Sequence, residues 1–158
     1  MPDPRVRGRQ RAEVAARADN CCEYCRSPER FAVQSFSVEH ITPSSRKGGK
    51  SLENLALACQ GCNNLKYNKV QAVDPTRGEW VPLYHPRTDR WTDHFAWSGD
   101  FRQMIGLTPT GRATVAELRL NREGLLNLRG LLFSAGVHPC SEAPMGKTGH
   151  DHDDDRGP

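Results

Sequence analysis

Apolar positions along the chain come in short runs broken by Gly, Pro, Ser and charged residues, and the spacing changes from segment to segment. Residues 9–18 are rich in Ala, Arg and Glu, with Val14 and Ala18 on one face and Asp19-Asn20 as a stop, which predicts a helix. The Pro/Arg-rich residues 1–8 before it read as a frayed basic arm. Phe31, Val33, Phe36, Val38 and Ile41 are strand formers at short spacing and predict a hairpin over 31–33 and 36–41. Residues 42–50 are loop by composition, and 51–58 form a short structured segment. A helix is expected over 63–70, ended by Asp74-Pro75.

Downstream the texture changes. Residues 80–87 are aromatic and broken by Pro, and 94–98 and 101–107 predict two strands about a Ser98-Gly99-Asp100 turn. Thr108-Pro109 reads as an N-cap followed by a first-turn proline, opening a helix to about Leu118. Asn121 is expected to cap a second helix in which Leu125, Leu128 and Leu132 share a face. From residue 136 on, Pro, Gly, Ser and Asp dominate and predict a disordered tail. The expected divisions are an arm and helix (1–20), a core (21–71), an extension packed on it (72–135) and the tail (136–158).

Composition sharpens this picture in two ways. A hydrophobic content of 36% is low for 158 residues, so a bound metal would compensate for a small core. Residues 1–71 carry twelve Lys/Arg against seven Asp/Glu, whereas residues 150–158 carry four Asp and one Arg. A basic globule with an acidic end suits a polyanionic partner. No apolar leader and no run of bilayer-crossing length is visible, so no membrane role is expected and the cytoplasm is the expected compartment.

In a reducing compartment paired C-x2-C motifs hold metal, and Cys22, Cys25, Cys59 and Cys62 form two such knuckles, predicting one structural zinc. Cys21 competes with Cys22 as a ligand but gives the less common spacing, and Cys140 is expected as a free thiol. The 33 residues between Cys25 and Cys59 exceed the roughly 15–20 of a simple zinc ribbon. That added chain delivers Glu39-His40 at a strand end.

Glu39-His40, Asn54, and Asn63 with Lys66 three residues on, framed by the knuckles, resemble the HNH nuclease motif of the ββα-metal (His-Me finger) endonucleases. The likeness covers 21 to about 70. The segments 82–87 and 111–115, with Trp91 and His94-Phe95, are similar to an extension of small stand-alone bacterial HNH proteins. The resemblance implies an α+β fold: a zinc-stapled ββα core with an N-terminal helix, followed by a β-hairpin and two-helix extension.

It also implies a DNA endonuclease leaving 5′-phosphate and 3′-hydroxyl ends. His40 would be the general base, a task for which imidazole is chemically suited. Glu39 and Asn63 would bind one catalytic Mg2+ or Mn2+ through hard oxygen donors. Asn54 would hold the loop that aims His40, and Lys66 would contact phosphate. Arg46, Lys47, Lys50 and Lys69 are the further phosphate contacts expected on the DNA. Glu39 departs from the commoner aspartate by one methylene. The alternative reading is a catalytically lapsed, zinc-stapled nucleic-acid-binding module. Oligomeric state is not legible.

Other residues carry blander expectations. His85, His94 and Asp93 are read as packed or hydrogen-bonded rather than as a second metal site. Trp80, Trp91 and Trp97 are expected in the core of the second half rather than stacked on bases. The run from His150 to Asp155 is expected to be solvated rather than a cation site.

Overall fold

The computed structural model describes residues 4–140. Strand β1 (Ser37–His40) pairs antiparallel with β2 (Leu55–Ala58), with Ser37 opposite Ala58 and His40 opposite Leu55. All four β2 residues are apolar and buried, so β2 is the inner strand. On β1 the side chains alternate: Glu39 turns inward and His40 outward. The hairpin expected within 31–41 does not form. Glu29–Phe31 is instead a 3-10 turn, and Ala32 to Ser35 lie exposed with no buried face for their side chains to pack on.

Helix α1 (Pro4–Arg17) starts earlier than expected, with proline at its first position, where no amide donor is needed. It buries Val14 against the core and fastens itself with two arginines. Arg11 donates to Phe36 O at 2.7 Å and to Glu29 at 2.8 Å. Arg17 donates to Leu52 O and Leu55 O at 2.9 and 2.6 Å.

Helix α2 (Gln60–Lys66) is shifted toward the second knuckle relative to the expected 63–70. Cys59 is its N-cap, its sulfur accepting from the Cys62 amide, and Tyr67 ends it in a left-handed turn (φ 51°, ψ −116°).

After α2 come two hairpins, one more than expected: β3 (Gln71–Val73) with β4 (Trp80–Pro82), and β5 (Phe95–Trp97) with β6 (Met104–Gly106). The short helix α3 (Trp91–His94) lies between them. Helices α4 (Pro109–Glu117) and α5 (Glu123–Ser134) follow. Thr108 caps α4 as expected, accepting from the Gly111 amide. Asn121 is not a cap. It brackets Met104, accepting from its N–H at 2.7 Å and donating to its carbonyl at 2.9 Å, and Arg122 takes the cap position of α5.

Buried polar contacts join this second half to the core. Arg87 pairs with Glu23 of the first knuckle, both side chains nearly inaccessible, and Glu23 also accepts from the Leu57 amide. Within the second half, Arg112 grips Asp74 through two bonds of 2.8 and 3.0 Å, and the Tyr84 amide donates to Thr114. Trp91 packs with Phe95 and Trp97, whereas Trp80 lies exposed, against expectation. His85 accepts from the Arg87 amide and His94 shares a 2.6 Å hydrogen bond with Thr108, while Asp93 is exposed.

The described part of the expected tail is ordered against the body. His138 is buried, 2.8 Å from Phe101 O, and Cys140 is bonded to Cys21 rather than free. The 119-residue separation of these two cysteines hid the pairing from a reading of local spacing. The acidic run at 150–155 lies outside the described residues. No helix among the described residues is long and apolar enough to cross a membrane.

Candidate active site

Two centres flank α2. At its N-terminus the sulfurs of Cys22, Cys25, Cys59 and Cys62 lie within 4.8 Å of one another, with Cys25 and Cys59 sulfurs 3.7 Å apart. Zn–S bonds of about 2.3 Å in a tetrahedron put sulfurs about 3.8 Å apart. Burial pushes the Cys22 thiol well up, while the neighbouring cysteines, Cys22 first, hold the Cys59 thiol far down. Such a buried cluster cannot ionise fully without a cation inside it, and that is what zinc would supply. The residues fit a structural zinc. Cys21 points away from this cluster into its disulfide, which settles its competition with Cys22.

At the other end of α2 the chain around His40 is held at every neighbouring residue. Before it, the Glu39 carboxylate is buried, accepting from the Tyr24 hydroxyl through Oε1 and lying 3.5 Å from Lys66 Nζ through Oε2. After it, the Ile41 carbonyl accepts from Lys66 Nζ at 2.8 Å and the Ile41 amide donates to Asn54 O at 2.8 Å. Thr42 is bonded twice by the Asn54 side chain, whose Nδ2 also reaches Gly49 O at 2.7 Å. Gly48 lets this loop close, because a Cβ there would lie 1.7 Å from Thr42 O.

His40 itself is exposed, and its ring makes no hydrogen bond or ion pair among the described residues. An anchored strand end therefore presents an uncommitted imidazole to solvent.

Lys66 does not face phosphate. Its side chain is 1% exposed and spends its donors on Ile41 and Glu39, so its observed work is to brace β1 on both sides of His40. Burial lowers the pKa of the Lys66 ammonium, with Glu39 opposing, and burial raises that of the Glu39 carboxyl, with Lys66 and Tyr24 opposing. Tyr24 was not singled out by the sequence, since a tyrosine inside a knuckle carries no signal of a partner fifteen residues on.

Asn63 stands one turn before Lys66 on α2, and its side-chain amide makes no hydrogen bond among the described residues. Among the described residues Glu39 Oε2 is recorded in one polar contact, 3.5 Å from Lys66 Nζ. A carboxylate oxygen and an amide oxygen are the hard donor types that a divalent ion such as Mg2+ or Mn2+ takes.

The basic residues divide. Arg46, Lys47 and Lys50 are exposed on the loop after His40, and Arg46 Nε ties that loop to Asn68 O at 3.0 Å. Lys69 is engaged elsewhere, 2.6 Å from Glu117 of α4.

Residues 22–69, from the first cysteine of the cluster to the end of the turn after α2, match the HNH endonuclease family. No curated protein and no solved structure matches the chain.

Proposed function

We propose, from the HNH domain at residues 22–69 as premise, that this protein is a divalent-metal-dependent DNA endonuclease acting in the cytoplasm, with His40 as general base. The observation that carries the reading is the exposed, uncommitted His40 ring on a strand end pinned by Lys66 and Asn54. A binding module has no use for an imidazole held this way.

In the proposed reaction His40 takes a proton from a water molecule as its oxygen bonds to the scissile phosphorus. The bond from phosphorus to the 3′ oxygen breaks, leaving a 5′-phosphate and a 3′-hydroxyl. When bound, a Mg2+ or Mn2+ ion at Glu39 and Asn63 supplies positive charge for the leaving oxygen. Asn54 keeps the Thr42–Gly49 loop closed, so the ring is aimed before substrate arrives. Arg46, Lys47 and Lys50 would lie along the phosphate backbone.

A plasmid-nicking assay with magnesium or manganese tests the reading. Wild-type protein nicks, His40→Ala loses at least about a hundredfold in rate as expected for a general base, and EDTA stops the reaction. Equal nicking by both proteins would remove His40 from the chemistry. The inward Glu39–Lys66 pair favours the second reading, a nucleic-acid-binding module, which predicts DNA binding without cleavage in any divalent ion.

A further inference from the structure

Arg122, at the junction between α4 and α5, reaches from the C-terminal half onto the sulfur cluster. Its Nη1 lies 3.7 Å from Cys62 Sγ, and its Nη2 lies 3.6 Å from both Cys59 Sγ and Cys62 Sγ. Distances of this size are ordinary for hydrogen bonds to sulfur. The same Nη1 donates to Leu118 O at 3.1 Å and to Arg119 O at 3.2 Å, so the backbone at the end of α4 aims the guanidinium.

The knuckle is shaped to receive it. Gly61, between the two downstream cysteines, has an open Cα face where a Cβ would stand 2.6 Å from Arg122 Nη2. Among the four cysteines Cys59 is the least buried, 9% exposed against 0% for the others, and its sulfur is one of the two that Nη2 reaches.

We propose that Arg122 is the outer-sphere partner of the zinc centre: it neutralises the thiolates and shields Cys59, so that zinc retention by the nuclease core depends on the docked C-terminal extension. Four thiolates around Zn2+ carry a net charge of −2, which a buried site tolerates poorly. N–H donors on Cys59 and Cys62 draw charge off those sulfurs and place a cation beside them. The extension thereby acts on the metal without contributing a ligand. This inference stands apart from cleavage and needs only zinc on the four cysteines.

The test uses full-length, zinc-loaded protein and follows zinc transfer to a chromophoric chelator. Hydrogen-bond partners of metal ligands typically change affinity 10–100-fold, so Arg122→Met should release zinc about tenfold faster or more, with Arg122→Lys between it and wild type. Gly61→Ala keeps every cysteine and Arg122 while displacing the guanidinium, and should also accelerate release. Arg119→Ala, an exposed neighbour, should not.

If Arg122 only caps α4, Arg122→Met lowers the melting temperature while release from the folded protein stays at the wild-type rate. That outcome overturns the proposal. Should Arg122→Met fail to fold, Arg122→Lys and Gly61→Ala carry the test, and wild-type release from both overturns it equally.

Discussion

Lys66 and Glu39 form a buried pair, Nζ to Oε2 3.5 Å, with side chains 1% and 3% exposed. The pair spans His40, because the same ammonium also holds the Ile41 carbonyl. Its role is to make one strand end rigid.

Removing one member of such a pair leaves a buried charge uncompensated, at a cost of about 3–5 kcal/mol. Lys66→Met is expected to lose stability of that order in urea denaturation. The double variant Lys66→Met/Glu39→Gln should recover part of it, since no lone charge remains inside. A loss below about 0.5 kcal/mol for Lys66→Met, the range of surface substitutions, would contradict the burial.

Stability against acid should report Asp74. The Arg112 guanidinium, first among several donors, holds its carboxyl down at about 2. A depressed carboxyl contributes stability that is full above its unfolded pKa of about 3.9 and lost as pH falls through the folded value. Thermal melts between pH 5 and pH 2 should therefore fall more steeply for wild type than for Asp74→Asn. Parallel curves would mean the pair does not form.

Tyr67 holds φ 51° and ψ −116° with its side chain 74% exposed. L-residues are strained there, at a cost of order 1–3 kcal/mol, and glycine is not. Little burial is lost on truncation, so Tyr67→Gly should raise stability by about 1 kcal/mol in the same denaturation measurement. A stability decrease would show that the ring contributes more than its exposure indicates.

Cys59→Ser, or prolonged chelation, should unfold the core, because zinc binding is part of the folding free energy. Circular dichroism and metal content should fall together. Retention of a wild-type spectrum by metal-free protein would separate the fold from the metal.

Triple substitution Arg46→Ala, Lys47→Ala and Lys50→Ala should weaken DNA binding for all sequences alike. Each lost phosphate contact reduces the slope of log affinity against log salt by about 0.9, so the slope should drop by up to about 3. The melting temperature should barely move, since all three are exposed. An unchanged slope would place DNA elsewhere on the surface.

The knuckles, the strand carrying Glu39-His40 and the capped α4 were legible in the chain because each is a local pattern. The hairpin expected at 31–41 was not, because strand formers at Phe31 and Val33 find no strand partner, while β1 pairs with Leu55–Ala58, beyond the loop that follows it. Asn121 carries the composition of a cap, yet its side chain serves Met104 across the fold.

By itself, then, the chain determined which cysteines gather into one cluster and which ring stands at a strand end, since short spacings prescribe geometry within a turn or a strand. Tertiary structure decided what the charged residues do. Lys66, Glu23, Arg87, Arg112 and Arg122 look alike on paper as solvated charges, and each becomes a buried or bridging contact only when segments far apart in sequence meet. A charge declares its partner through desolvation, and desolvation is a property of the packed molecule.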